Sequence, residues 1–100
     1  MDDQYEKMAK IFKSLSNPKR VQILDMLSEG ELCACELLKH FHISQPTLSH
    51  DMKQLTDAGI VNSRRDGQKN LYSLNLDFLL KMQQRLIKMI ENDPTREKAE

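Results

Sequence analysis

Two cysteines one residue apart, Cys33-Ala34-Cys35, are the only thiols in this 100-residue chain. They lie in Glu31-Leu32-Cys33-Ala34-Cys35-Glu36-Leu37-Leu38, where a short helix is expected to begin. Thiolates select soft or borderline ions over magnesium or calcium, and a close pair of thiols can also be oxidised. A cysteine at a helix start faces the positive end of the helix dipole, which favours the thiolate. With Cys33 as N-cap, Cys33 and Glu36 have the spacing of a capping box, a thiol standing in for the usual hydroxyl. The spacing also sets a constraint. Residues i and i+2 point about 200° apart around an ideal helix, so one ion holding both sulfurs would require an irregular or unwound first turn.

A second set of residues follows directly. Ser44 reads as the N-cap of a helix running to Asp57, with Pro46 in the first turn, where a missing N–H costs little. Leu48, Met52 and Leu55 fall in a narrow inward arc, leaving Thr47, Ser49, His50, Lys53, Gln54 and Asp57 outward. If such a helix enters the major groove of double-stranded DNA, its N-terminal residues meet base edges. Gln45, Thr47, Ser49 and His50 are placed for that, since glutamine can bind adenine bidentately. Lys53, Arg64, Arg65 and Lys69 would neutralise phosphates, fixing register and making affinity fall with salt. Taken singly, each polar side chain is equally a solvated helix face; the ordered combination of turn, cap, polar face and basic hairpin is what points to DNA.

The elements that position these groups follow from periodicity. Met8, Ile11, Phe12 and Leu15 predict a helix over about Tyr5 to Leu15. Asn17-Pro18 predicts an N-cap and first position for a second helix, with Val21, Leu24 and Leu27 inward, Ile23 at the edge of that face, and a stop at Gly30. A short helix over Ala34 to Phe41 is followed by a tight His42-Ile43 connection. Ile60 to Arg65 and Lys69 to Leu74 flank Asp66-Gly67, a hairpin signal. Leu76 to Glu91 predict a last helix, and residues 92–100 a charged, frayed tail. The expected fold is mostly α with a small β-hairpin: one winged helix-turn-helix DNA-binding domain over residues 1–100. Leu79, Met82, Leu86 and Ile90, with Leu80 and Ile87 beside them, make an apolar arc of about 200° on the last helix, wider than one core needs. That width predicts a homodimer joined through the terminal helices, with two reading helices one DNA turn apart.

Composition bounds the alternatives. Fifteen basic and fifteen acidic residues leave no formal charge, which argues against indiscriminate nucleic-acid coating but not against a local patch. No apolar run nears the ~18 residues of a membrane span, and Asp2-Asp3-Gln4 is no secretory leader. A cytoplasmic protein is expected, where close cysteines serve metal or redox chemistry more often than structural bridging. Cys33 and His40 would be separated by about 10 Å of helical rise, too far for one ion, so His40 and His42 read as surface or turn residues.

Read together, Cys33-Ala34-Cys35, Ser44-Gln45-Pro46-Thr47-Leu48-Ser49-His50, Leu55, Ala58-Gly59-Ile60-Val61 and Arg64-Arg65-Asp66-Gly67 resemble the ArsR/SmtB family of metal- and metalloid-responsive repressors, over about residues 5 to 91. The resemblance implies a homodimeric winged-helix repressor released from operator DNA by its inducer. It is nearest to the branch responsive to As(III) and Sb(III), with Cys33 and Cys35 as metal ligands and no permanent cofactor. Three departures stand out. Position 38, where that branch often has a third cysteine, is Leu38, so a third ligand would be water, a small thiol or nothing. The 76–91 helix has no histidine for the family's zinc site. Asp51 replaces the second histidine of a common Ser-His-His run, which would weaken phosphate binding there.

In this scheme, drawing both sulfurs to one ion unwinds the first turn and shifts the reading helix through Leu37, Leu38 and Phe41. A thiol redox sensor using a Cys33/Cys35 disulfide is the competing DNA-binding reading, and a winged-helix protein-interaction module the competing class. An enzyme is not expected, since there is no Cys-x-x-Cys, no phosphate loop and no nucleophile–base–orienter set.

Overall fold

Asn17 opens the second helix as the sequence predicts: its Oδ1 accepts the backbone N–H groups of Lys19 at 2.9 Å and Arg20 at 3.4 Å, ahead of Pro18. The computed structural model describes residues 3–92 and contains α1 (Asp3–Ser14), α2 (Pro18–Leu27), β1 (Leu32–Cys33), α3 (Ala34–Phe41), α4 (Gln45–Asp57), β2 (Val61–Asp66), β3 (Lys69–Leu74) and α5 (Leu76–Glu91). The tail expected from residue 93 onward lies outside the described residues. The three strands form an antiparallel sheet in the order β1-β3-β2. This is a winged helix-turn-helix, with α3 and α4 as the helix pair and β2-β3 as the wing.

Local chemistry explains each junction. α3 ends at His42, which takes the left-handed conformation (φ 55°, ψ 42°) and donates its N–H to Leu38 O, closing the helix with one bond. Ser44 then caps α4 by accepting the Thr47 N–H. At the end of α4, Gly59 has φ +86°, and a Cβ there would lie 3.0 Å from the Phe78 ring. The glycine therefore permits both the turn and the approach of α5. Asn75 locks this corner: its backbone N–H bonds Ile60 O, its side-chain amide bonds Gly59 O, and its Oδ1 caps α5 at the Phe78 N–H.

The core gathers Ile11 of α1, Ile23 and Leu27 of α2, Leu37 of α3, and Leu48, Met52 and Leu55 of α4 with Ile60 and Val61. Each side chain of this size contributes roughly 1.5–3 kcal/mol by leaving water.

Four expectations need correction. Val21 is 48% exposed while Ile23 is fully buried, so the inward face of α2 is centred on Ile23 and Leu27. Phe12 is 46% exposed rather than part of the core. α2 gives way at Ser28, two residues before Gly30. The wing loop is Gly67-Gln68, because Asp66 still pairs with Lys69; only Gly67 of that pair has positive φ, the type II′ arrangement. The strand β1 was not foreseen. It pairs Leu32 with Tyr72 and Cys33 with Leu71, carrying the backbone of the first cysteine into the wing's sheet.

Candidate functional site: a thiol pair beside a nucleic-acid interface

Cys33 is the N-cap of α3, with extended backbone (φ −86°, ψ 158°). Its Sγ accepts the Glu36 N–H at 3.3 Å, and Glu36 Oε1 accepts the Cys33 N–H at 2.9 Å. The capping box expected from the spacing is therefore present, with sulfur as the acceptor. Cys33 and Cys35 are joined by a disulfide, their Cα atoms 5.2 Å apart. This corrects the expectation that the sulfurs diverge unless the first turn unwinds. The 100° rotation per residue applies only within the helix, and an N-cap residue lies outside helical dihedrals. Its side chain swings back over the first turn and meets the residue at N2, while α3 remains regular from Ala34 onward. Cys33 is 5% exposed, whereas Cys35 faces solvent. An incoming reagent would thus meet Cys35 first.

Among the described residues no group of three or more His, Cys, Asp or Glu side chains is placed to hold a metal ion. His40 lies exposed at the other end of α3, where its Nε2 is 3.0 Å from Gln22 Nε2, in keeping with its reading as a surface histidine. α3 transmits inward through Leu37, fully buried in the core beside Leu48 and Leu55 of α4, with Leu38 and Phe41 packed against it.

Of the side chains expected to meet DNA, Ser44, Gln45, Thr47, Ser49, His50, Lys53, Arg64, Arg65 and Lys69 are exposed, and Gln54 is half-buried. The structure gathers Gln45 to Gln54 on one helix and Arg64, Arg65 and Lys69 on the wing. Two of the cations already have anionic partners. Lys53 Nζ lies 3.2 Å from Asp57 on the open surface. Arg64 makes a two-pronged bond to Glu31, Nε to Oε2 and Nη2 to Oε1, each 2.8 Å. That bond holds the Glu31 carboxyl below its ordinary pKa and the Arg64 guanidinium above its own.

Asp51 is the clearest correction to the site. It does not join the exposed polar face of α4 but is buried at 4% side-chain exposure. Its Oδ1 accepts Arg20 Nη1 at 3.1 Å, while Arg20 Nε donates to Ser14 O at 2.6 Å. Lys19 Nζ sits 2.8 Å from Oδ2, close enough to pair charges but off the line of a hydrogen bond. This cluster bolts the middle of α4 to the start of α2 and the end of α1. A sequence signal existed: position 51 flanks the buried arc of Leu48, Met52 and Leu55. For Glu31 no signal existed, because its partner lies on a strand 33 residues away.

Comparison with known proteins places this geometry in context. Residues 17–63 match the model for bacterial regulatory proteins of the arsR family. The chain is 56% identical over 75 residues to the arsenical resistance operon repressor of Staphylococcus xylosus, covering 75% of this chain and 72% of that protein. Among solved structures, an ArsR family transcriptional regulator superposes with a TM-score of 0.83 at 24% identity, covering 97% of this chain and 100% of the other. The homodimeric winged helix-turn-helix DNA-binding domain of a possible ArsR-family regulator from Mycobacterium bovis does so with a TM-score of 0.71 at 23% identity, covering 100% and 97%. These last two likenesses concern the fold.

Proposed function

The chain belongs to the arsR family of bacterial regulatory proteins, and from that membership we propose that it is a homodimeric repressor of an arsenical-resistance operon, released from its operator when arsenite or antimonite binds Cys33 and Cys35. Its relatives are transcriptional regulators, not enzymes, and it is read as a DNA-binding repressor with residues 1–100 as one domain. No helix among the described residues is long and apolar enough to cross a membrane.

The observation that carries the inducer reading is the meeting of the two sulfurs at the start of α3. A pair that can bond to each other at a regular helix start can also be bridged by one atom with little rearrangement. In the disulfide form the pair first takes up two electrons and two protons from a thiol or phosphine reductant. Trihydroxyarsenic(III) then condenses with the two thiols: two As–S bonds form, two S–H and two As–O bonds break, and two waters leave. The chain supplies two sulfurs, and the remaining position keeps its hydroxyl or takes a small thiol. The buried Cys33 orients the exposed Cys35, and Leu37 links α3 to the reading helix α4. Gln45, Thr47, Ser49 and His50 would read base edges; Ser44, Lys53, Gln54, Arg64, Arg65 and Lys69 would hold sugar and phosphate.

Dimerisation has its own support. Leu76, Leu80, Ile87 and Ile90 of α5 are exposed, Ile90 to 59%, as are Tyr5 and Phe12 of α1. Exposed apolar side chains on both terminal helices support an interface there, and a second copy would cover them around a two-fold axis.

A second reading is favoured by the same disulfide: a redox sensor in which a peroxide takes two electrons and two protons from the thiols and leaves as water. One experiment separates the two. Operator binding of phosphine-reduced wild type and of Cys33→Ala/Cys35→Ala is titrated with arsenite, antimonite, cadmium, zinc and peroxide in parallel. Release of wild type alone by arsenite, with added arsenic mass, supports coordination. Release by peroxide alone, with loss of two hydrogens, supports the redox reading. Equal release of both proteins by arsenite would sink the assignment of these cysteines.

A further inference from the structure

We propose that Glu31 is a positioning residue for operator release: when the two sulfurs are drawn together, Glu31 holds the wing arginine Arg64 away from operator phosphate. The inference rests on the functional reading above and names the route by which the thiol pair reaches DNA.

The sheet supplies the connection. Cys33 of β1 and Arg64 of β2 both pair with Leu71 of β3, so the first cysteine and the wing arginine occupy one row across three strands. Glu31 stands two residues before Cys33, on the same side of an extended chain, and its carboxylate meets the Arg64 fork at 2.8 Å on both prongs. The Cys33 backbone is thus pinned three ways. Its sulfur is bonded to Cys35, its N–H is held by Glu36, and its strand pairing fixes it to the wing. Releasing the sulfur removes one of these three holds on the segment that carries Glu31.

The chemistry of Arg64 makes the hold consequential. Nε and Nη2 form the planar fork that binds a phosphate bidentately, and both are occupied by Glu31. An operator phosphate must therefore displace a carboxylate of like charge. The Arg64 and Glu31 side chains are 58% and 33% exposed, so that exchange is open to solvent rather than blocked by burial. The other route, from α3 through Leu37 into α4, moves the reading helix; this one withdraws a phosphate contact. The two differ in what salt does. Each phosphate contact adds about 0.9 to the slope of log affinity against log salt, whereas a tilted reading helix need not change that slope.

The test uses the full chain, reduced with a phosphine, and an operator fragment followed by fluorescence anisotropy at several salt concentrations, with and without arsenite. In wild type, arsenite should lower affinity by roughly five- to 150-fold and flatten the salt slope by about 0.9 per protomer. Glu31→Gln keeps the side chain's shape and lacks the charge. It should bind as much arsenic by mass and keep the steep slope in both states, so that any affinity it loses on arsenite addition is independent of salt. Arg64→Gln should show the flatter slope in both states. A Glu31→Gln protein whose salt slope flattens on arsenite addition as much as that of wild type overturns the role of Glu31 alone. Release of Cys33→Ala/Cys35→Ala by arsenite overturns the functional reading, and this inference with it.

Discussion

Replacing Asp51 with asparagine should cost more than any other single-charge change in α4. The side chain keeps its volume, and asparagine can still offer one oxygen to Arg20. What disappears is the charge on that bond. A hydrogen bond to a charged group contributes about 1.5–3 kcal/mol, and the Arg20–Asp51 bond at 3.1 Å lies where Arg20 is 13% exposed. Lys19 adds less: its side chain is 25% exposed and its nitrogen is out of line with Oδ2, so roughly 0.2–1 kcal/mol is appropriate. Arg20 retains the Ser14 carbonyl, which softens the loss. The expected cost of Asp51→Asn is about 2–3 kcal/mol, below the roughly 3–5 kcal/mol seen when one partner of a fully buried pair is removed. In a domain whose total stability is about 5–15 kcal/mol, that lowers Tm by roughly 10–20 °C. Urea and thermal unfolding at one fixed protein concentration measure it, since a dimer's stability depends on concentration. Lys19→Met should cost clearly less than Arg20→Met. An Asp51→Asn loss below about 0.5 kcal/mol with an unchanged m-value would refute the view that this cluster fixes α4.

Two further outcomes follow from the geometry. Gly59→Ala forces a side chain onto φ +86° with its Cβ 3.0 Å from the Phe78 ring; strain and contact together should destabilise by about 1–3 kcal/mol, read by chemical unfolding, and a neutral result would mean that α5 sits elsewhere. Tyr72 of β3, packed against the core, has its phenol pushed above the ordinary 10.0 by burial. The folded state keeps that proton longer than the unfolded chain, so its contribution is intact below pH 10 and is lost as pH rises from there toward the folded value. Tyr72→Phe should remove that alkaline loss in unfolding curves, and an unchanged pH profile would contradict it.

The helices were legible because their signals are local. Asn17-Pro18, Ser44 and the Leu48-Met52-Leu55 spacing each specify a start or a face within a few residues. The wing was legible from Asp66-Gly67, although the loop lies one residue later because Asp66 completes the pairing with Lys69. The errors came where distant partners decide. Val21 and Ile23 are both apolar and β-branched, and only the position of α3 and α4 determines which is covered. Asp51 was read by its charge, but Lys19 and Arg20 bring two cations to it across 31 or more residues. For the thiols, the sequence argument applied helical rotation to a residue that the cap geometry places outside the helix.

The position of Cys33 at the border between strand and helix has a bearing on design. A pair of cysteines at N-cap and N2 needs no partner from elsewhere in the fold, because the change from extended to helical backbone is itself what brings the sulfurs together. Shifted one residue into the helix, the same Cys-x-Cys would point its sulfurs apart. The unit is therefore portable: grafted at the start of another capped helix, these few residues should carry a thiol latch with them, at the cost of a sulfur cap weaker than serine.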